Sequence, residues 1–284
     1  MNKEKISKIK VCAISDLHGR VDMNFLKKNI DSHHCDILLI AGDIVPLEYQ
    51  TFLPLSKIWF EKEFIPWCNS LNVDKIYIVA GNHDFYLERN EDEFRQMIKD
   101  SKIIYLNNEI SRYSKNNDSF YIIGSPLCHK FGNWAFMKSD GEIKKTLSKI
   151  QDSLKEINAK CDILLIHDAP YKVNDTLNKE ELKYMHRKDP GHIGNKPIQN
   201  FIEKIFPTYT IHGHLHSASH NWKYYGFNFN IKNNQKEKFV LKSIIGTRTD
   251  NTILYTKCVN VSLINESYVE RFKPKYFTVT HYLK

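Results

Sequence analysis

The sequence predicts an α/β fold, and three observations carry that prediction. Short apolar runs rich in Ile and Val recur along the chain, as in KIKVCAIS, CDILLIAG, KIYIVAG, FYIIGS, CDILLI and YTI. Runs of this kind, without clear polar–apolar alternation, suit strands buried on both faces. Helix-like stretches separate them, and strands alternating with helices mean an α/β architecture. Each run also stops at a polar cluster, and in such sheets ligands gather at the carboxyl ends of the strands.

The elements follow in order. KIKVCAIS leads into Asp16-Leu17-His18-Gly19, and CDILLIAG into Asp43. Residues 52–71 place Leu55, Ile58, Trp59 and Phe64 at near-helical spacing, with Pro54 suited to a first helical turn. KIYIVAG leads into Asn82-His83-Asp84, and FYIIGS into Pro126. Residues 141–158 carry Ile143, Leu147, Ile150 and Leu154 on one stripe, the signature of an amphipathic helix. CDILLI leads into His167-Asp168, residues 196–206 read as a shorter helix, and YTI leads into a histidine cluster. From about residue 221 aromatic and polar residues mix, and antiparallel strands or hairpins are expected, with KNNQKEK at 232–238 an exposed turn. Without an internal repeat or a linker, residues 1–284 read as a single domain, with a β-hairpin insertion or extension at about 221–256.

Composition narrows the class. With 42% hydrophobic and 12% aromatic residues, the chain can fill a sizeable core. No run approaches the roughly 18 apolar residues of a membrane span, so no membrane partner is expected. The N-terminus passes from MNKEKISKIK straight into a strand-like run, without the apolar region and cleavage site of a secretory signal. Cys12, Cys35, Cys68, Cys128, Cys161 and Cys258 are scattered and form no C-x-x-C pair. They read as reduced, mostly buried thiols of a cytoplasmic protein. The net charge of +8 raises nucleic acid as a partner, but the 41 basic residues comprise 34 Lys and only 7 Arg. A phosphate or base reader favours the Arg fork, so compositional drift is the better reading.

The stretch YTIHGHLHSASH holds His212, His214, His216 and His220. Residues two apart on an extended chain point the same way, and Gly213 lets the backbone bend close to one point. Neutral imidazole is the commonest side-chain ligand for Zn, Mn and Fe. The other strand ends supply Asp16, His18, Asp43, Asn82, His83 and His167, a carboxylate–imidazole mix that suits borderline and hard divalent ions. Taken singly, Asp16 and Asp43 also read as helix caps, and His18 and His167 as buried hydrogen-bonded residues. The joint pattern favours a site.

The ordered set Asp16-Leu17-His18, Gly42-Asp43, Gly81-Asn82-His83-Asp84, His167 and Gly213-His214-Leu215-His216 resembles the calcineurin-like metallophosphoesterases. WFEKEFIPW, GSP followed by WAF, DILLIHDAP, HIGN and VNVSLINESY are similar to a microbial and phage subgroup of that superfamily. The likeness spans residues 8–220 and 257–270. It implies a two-sheet β-sandwich flanked by helices, four layers in the order α/β/β/α, with a dimetal site at the strand ends. It implies that Asp16, His18 and His216 bind one metal, that Asn82, His167 and His214 bind the other, and that Asp43 bridges them. His83 is then the proton donor to the leaving oxygen, and Asp84 holds His83 in its tautomer and orientation. Two ions roughly 3.5–4 Å apart would share a hydroxide whose pKa falls to about 7, and it attacks phosphorus. The ligands accept Mn, Fe or Zn, with Mn expected to support activity in vitro.

The expected activity is hydrolysis of a phosphodiester or phosphomonoester, most simply of a small nucleotide-like molecule. A DNA or RNA nuclease and a non-catalytic binding scaffold are the alternatives. His192 and Trp134 are candidates for the rim of the substrate site, and Phe136 shares the WAF motif. His212 reads as a packing or supporting residue, His220, His33, His34 and His186 as surface or loop residues. Leu215 is expected to face the core.

Overall fold

The computed structural model describes residues 6–116, 118–177, 182, 191–230, 235–241, 251–265 and 267–282. In chain order its elements are β1 (Ile6–Ile14), α1 (Met23–Ser32), β2 (Ile37–Ala41), α2 (Leu53–Trp59), a π-helical turn (Phe60–Phe64), α3 (Ile65–Ser70), β3 (Lys75–Val79), α4 (Phe85–Arg89), α5 (Glu91–Ile98), β4 (Ile103–Tyr105), β5 (Glu109–Lys115), β6 (Asp118–Ser125), β7 (Cys128–His129), β8 (Met137–Lys138), α6 (Asp140–Glu156), β9 (Ile163–Ile166), α7 (Lys196–Ile205), β10 (Tyr209–His212), β11 (Lys223–Asn230), β12 (Gln235–Leu241), β13 (Asn251–Asn260) and β14 (Lys275–Tyr282). His186 lies outside the described residues.

Side-chain alternation along the central strands builds the layers. One sheet has the order β14-β1-β2-β3-β4, parallel throughout except for β14. The other has the order β12-β11-β13-β10-β9-β6-β5, with β6, β9, β10 and β13 parallel and the outer strands antiparallel. Ile9, Val11, Ala13, Ile37 and Leu39 of the first sheet meet Ile122, Ile163, Leu165 and Ile211 of the second in an apolar layer between them. The alternate residues Cys12, Ile14, Leu38 and Ile40 face α1 to α5, and Leu164 and Ile166 face α6 and α7. The result is helices, sheet, sheet, helices, as expected. Each fully buried Ile or Leu contributes about 1.5–3 kcal/mol to this core.

Helix α6 bears out its sequence pattern. Ile143, Leu147, Ile150 and Leu154 are its buried residues, and Ser139 and Glu142 form a reciprocal capping box at its start. The stripe expected over 52–71 needs correction. Leu55 and Ile58 are 38% and 51% exposed, and the buried face consists of Ser56, Phe60, Phe64, Trp67 and Cys68. The π-helical turn resets the phase, with the Ile65 N–H reaching the Phe60 carbonyl. Pro66 supplies the reason, because it has no N–H to offer the carbonyl four residues back.

The strands expected beyond residue 221 are present. β11 and β12 pair antiparallel, while β13 returns beside β10. Residues 235–238 of the expected KNNQKEK turn already belong to β12, and 232–234 lie outside the described residues. No helix among the described residues is long and apolar enough to cross a membrane. All six cysteines are buried and free.

Candidate active site

Five loops, after β1, β2, β3, β9 and β10, meet where the parallel strands end. The loop after β1 is tied to the loop after β2, with Asp16 N donating to Gly42 O at 3.0 Å and His18 N to Asp43 O at 3.2 Å. Gly213 N donates to His167 O at 3.1 Å, and Leu263 N to Ser15 O at the same distance. Asp16, His18, Asp43 and His214 adopt left-handed backbone, with φ of 56°, 46°, 51° and 69°. Side chains other than glycine reach this region only at a cost of about 1–2 kcal/mol each, so the surrounding bonds must hold them there. Two glycines make the close approach possible. A Cβ on Gly42, whose φ is +93°, would lie 2.5 Å from His167 Nδ1, and one on Gly213 would lie 2.4 Å from Asp16 Oδ2.

The side chains form two groups. Asp16, His18 and His216 place one donor atom each within 4.8 Å of one another, and so do Asp43, His167 and His214. One oxygen joins the groups, since Asp43 Oδ2 lies 3.4 Å from His18 Nε2 and 3.4 Å from His167 Nε2. His216 Nε2 lies 3.3 Å from Asp16 Oδ1. Asn82 is buried, with Oδ1 3.0 Å from His167 Nε2. Leu215, between the two histidines, turns away into a small apolar cluster with Ala169, Leu177 and Ala218.

Two features of this arrangement fit divalent cations. His18 is fully buried, and neither ring nitrogen has a hydrogen-bond partner. An unsatisfied buried polar group of this kind costs about 1–3 kcal/mol, which a cation would remove. His167 Nδ1 meets Ala41 O at 2.7 Å. That bond keeps the proton on Nδ1 and the Nε2 lone pair inward. Nε2, Asn82 Oδ1 and Asp43 Oδ2 then converge as acceptors, an arrangement that calls for a cation or a second proton.

The ionisation states follow the same crowding. Burial opposes charge on Asp43, but His167, His83 and His18 hold its carboxylate well below the usual range. Burial likewise opposes charge on Asp16, but the hydrogen bond and charge of His216, together with the charge of His167, hold it low. Burial disfavours the His167 imidazolium, yet Asp43 lifts it to about 10 when no ion is present. Burial drives His214 down to about 4, leaving a neutral imidazole.

His83 sits at the edge of both groups. Its Nε2 is 3.9 Å from Asp43 Oδ2, and its ring centre is 4.9 Å from that of His18. Burial lowers its pKa, while the charge of Asp43 works in the other direction. Trp134 packs against it at 4.6 Å and remains 36% exposed. Phe136 of the same motif is buried in the helix-side core. His192 bonds through Nδ1 to Asp175 at 2.6 Å and edges onto Tyr171. Neither contact belongs to the two groups. A cavity of about 800 Å³ between the β5 edge and α6 includes none of the residues above.

Asp84 departs from the expected role. Its carboxylate accepts from the backbone N–H groups of Ile44, Val45 and Gly81 at 2.8–3.2 Å, and none of these bonds goes to the His83 ring. Burial and then the charge of Asp43 raise its pKa to about 6. The neighbouring position in sequence points the carboxylate back under the β2 loop, so it shapes that loop. The ring of His83 bonds instead through Nδ1 to Oε1 of Gln50.

Other contributors lie outside the expected ligand set. Tyr268, in left-handed backbone, sets its ring edge-on to both His18 and His216, at 5.2 and 5.4 Å. His220 does not sit free on the surface. It bonds to His216 O at 2.9 Å and stacks on Phe272. His129 bonds through both its backbone N–H and Nδ1 to the buried Asp168, at 3.0 and 2.7 Å. His212 is fully buried, and burial pushes it down to about 4.

Comparison with solved structures gives a likeness of fold. One crystal structure aligns over 95% of this chain and 99% of its own, at 16% identity and a TM-score of 0.57. The protein TT1561 of Thermus thermophilus covers 82% of this chain and 99% of its own, at 13% identity and a TM-score of 0.49. The phosphopantetheinyl hydrolase PptH of Mycobacterium tuberculosis covers 91% and 90%, at 12% identity and a TM-score of 0.47. No curated protein matches the chain. The family model for calcineurin-like phosphoesterases matches residues 9–218, which take in every residue of both donor groups. The chain belongs to the calcineurin-like phosphoesterases.

Proposed function

We propose that this phosphoesterase hydrolyses a small nucleotide-like phosphodiester or phosphomonoester at a dimetal centre. Asp16, His18 and His216 would hold one divalent ion, Asn82, His167 and His214 the other, and Asp43 would bridge them. The observation that supports this most directly is the place of Asp43 Oδ2, 3.4 Å from a ring nitrogen of each group. Divalent ions bound there supply Lewis-acid polarisation of the phosphoryl oxygens and lower the pKa of an attacking water. The ligand set favours Mn, Fe or Zn, and Mn is our choice for reconstitution.

The chain's own residues do the rest. Asn82 is buried among the donors and faces the growing charge on a phosphoryl oxygen. His83 is held at Nδ1, so it would act as the imidazolium, handing its Nε2 proton to the leaving oxygen and ending as the neutral Nδ1–H imidazole. Trp134 covers the outer face of that ring and limits access of bulk water. We read residues 1–284 as a single catalytic domain, with β11 and β12 as an extension of its second sheet, working in the cytoplasm, where six buried thiols stay reduced.

The test is hydrolysis of an aryl phosphodiester and an aryl phosphomonoester side by side, by protein stripped of metal and then reloaded with Mn. His83→Ala should retain its metal and lose most turnover, on the order of 100-fold or more with a poor leaving group and less with an activated one. Metal-independent turnover would overturn the dimetal reading, and metal loss in His83→Ala equal to its activity loss would overturn the proton-donor role. The diester-to-monoester ratio then narrows the substrate.

A further inference from the structure

The loop between β7 and β8 carries two large aromatic side chains that the core does not use. Phe131 is 51% exposed and Trp134 is 36% exposed. Such surfaces are ordinary when scattered. These two are not scattered, because each lies against a histidine of the site. Phe131 is 5.5 Å from His214 and Trp134 is 4.6 Å from His83, measured between ring centres. One aromatic therefore flanks the second donor group and the other flanks the proton donor.

The loop is fixed rather than loose. β7 and β8 pair at its base. Ala135 N donates to Asn82 O at 3.0 Å, and Phe136 N to a carboxylate oxygen of Glu88 at 2.7 Å. At the other end His129 is held twice by Asp168, which follows His167. The His129 ring lies 5.5 Å from Phe131. Between the two aromatics, a Cβ on Gly132 would come within 3.2 Å of the Trp134 indole, so that ring folds back over the loop. Both rings are held open to solvent by the segments that hold the donor residues. Little conformational entropy remains to be lost when a ligand stacks on them.

We propose that Phe131 and Trp134 form a preset aromatic clamp that selects phosphoesters whose organic group carries a planar ring, a nucleobase above all. This deepens the reading of the site as a phosphoesterase and rests on it. A ring stacked there places its phosphoester between His214 and His83, on the donor groups. His129 is a positioning residue that holds the Phe131 side of the clamp. Stacking of a base on an aromatic side chain is sequence-tolerant, so the clamp selects the presence of a ring more than its identity.

The experiment has two arms on the Mn-loaded protein. The first measures kcat/KM for a nucleoside monophosphate and for ribose 5-phosphate, and for the matching cyclic nucleotide and an alkyl diester. The ring-bearing member of each pair should be favoured, and Phe131→Leu or Trp134→Leu should reduce that preference about ten-fold, mainly through KM. Phe131→Tyr should restore it. The second arm measures binding of adenosine 5′-monophosphate against ribose 5-phosphate by equilibrium dialysis, with no hydrolysis required. Turnover without a ring preference, or a preference that both Leu variants retain, overturns the clamp and leaves the phosphoesterase intact. A ring preference in binding that the Leu variants lose, on a protein that turns over no ester, supports the clamp and overturns the phosphoesterase.

Discussion

The ring of His83 bonds through Nδ1 to the side-chain oxygen of Gln50, 33 residues earlier in the chain. An amide oxygen only accepts, so the proton stays on Nδ1 and Nε2 is left facing Asp43. Gln50 is thus a positioning residue on the loop between β2 and α2. Gln50→Ala should lower kcat about 10-fold or more on esters with poor leaving groups, while KM and metal content hold. Gln50→Glu, which keeps an acceptor, should recover most of the loss and move the pH profile upwards, since a carboxylate favours the imidazolium. A loss that is the same for good and poor leaving groups would show that the contact serves the fold instead.

Asp84 is expected to behave as a structural residue. Its carboxylate satisfies three backbone donors beneath the β2 loop. Asp84→Asn offers one acceptor where two oxygens worked, and should lower stability by about 1–3 kcal/mol. Denaturant unfolding reads this directly. Full stability together with a large fall in kcat would return Asp84 to the catalytic group.

Metal binding should be countable. Titration of stripped protein with Mn is expected to give two ions per chain, and an excess near 100 Kd should add about 2.7 kcal/mol of stability for each ion. His18→Ala removes a fully buried donor of the first group, and Asp43→Asn weakens the shared one. The former should lose one ion and the latter should weaken both. Two ions retained at wild-type affinity in His18→Ala would remove His18 from the ligand set.

A latch between the sheets should make stability depend on pH. His281 on β14 bonds to Asp118 on β6 through Nδ1 and to Asp162 before β9 through Nε2, each at 2.7 Å. Burial alone would lower its pKa, but the two aspartates raise it above the ordinary value. A raised folded pKa means stability fully present below the unfolded value of about 6.5 and lost as pH rises through the folded one. His281→Gln should therefore cost about 1 kcal/mol or more near pH 6 and progressively less in alkaline buffer. A difference that does not change with pH would show that the imidazolium plays no part.

The legible features were those whose signal is local. Asp16, Asp43, Asn82 and His167 follow apolar runs, and a parallel sheet carries such positions to one edge. Ile143 to Leu154 repeat at helical spacing, and α6 buries that stripe. Leu55 and Ile58 looked equally regular, yet the π-helical turn ahead of Pro66 rotated them outward. Gln50 and His129 carry no pattern, and neither VNVSLINESY nor the histidine cluster says where Tyr268 or His220 packs, because their partners come together only in the fold. Gln50 reaches His83, His129 reaches Asp168, Tyr268 lies across two histidines, and His220 grips the backbone of His216. Asp84 misled for the converse reason, since adjacency in sequence did not become contact in space.

Each donor group draws from both sheets, and Asp16 is bonded to the backbone of a residue 198 positions later. The consequence concerns biosynthesis. A ribosome-bound chain that has shown only β1 to β4 presents Asp16, His18 and Asp43, with three of the four donor imidazoles missing. High denticity arises only after His214 and His216 have emerged and β10 has docked beside β9, a late event for contacts so distant in sequence. Ion capture at these two groups would then be a checkpoint on the finished molecule, one that a stalled or truncated chain could not pass.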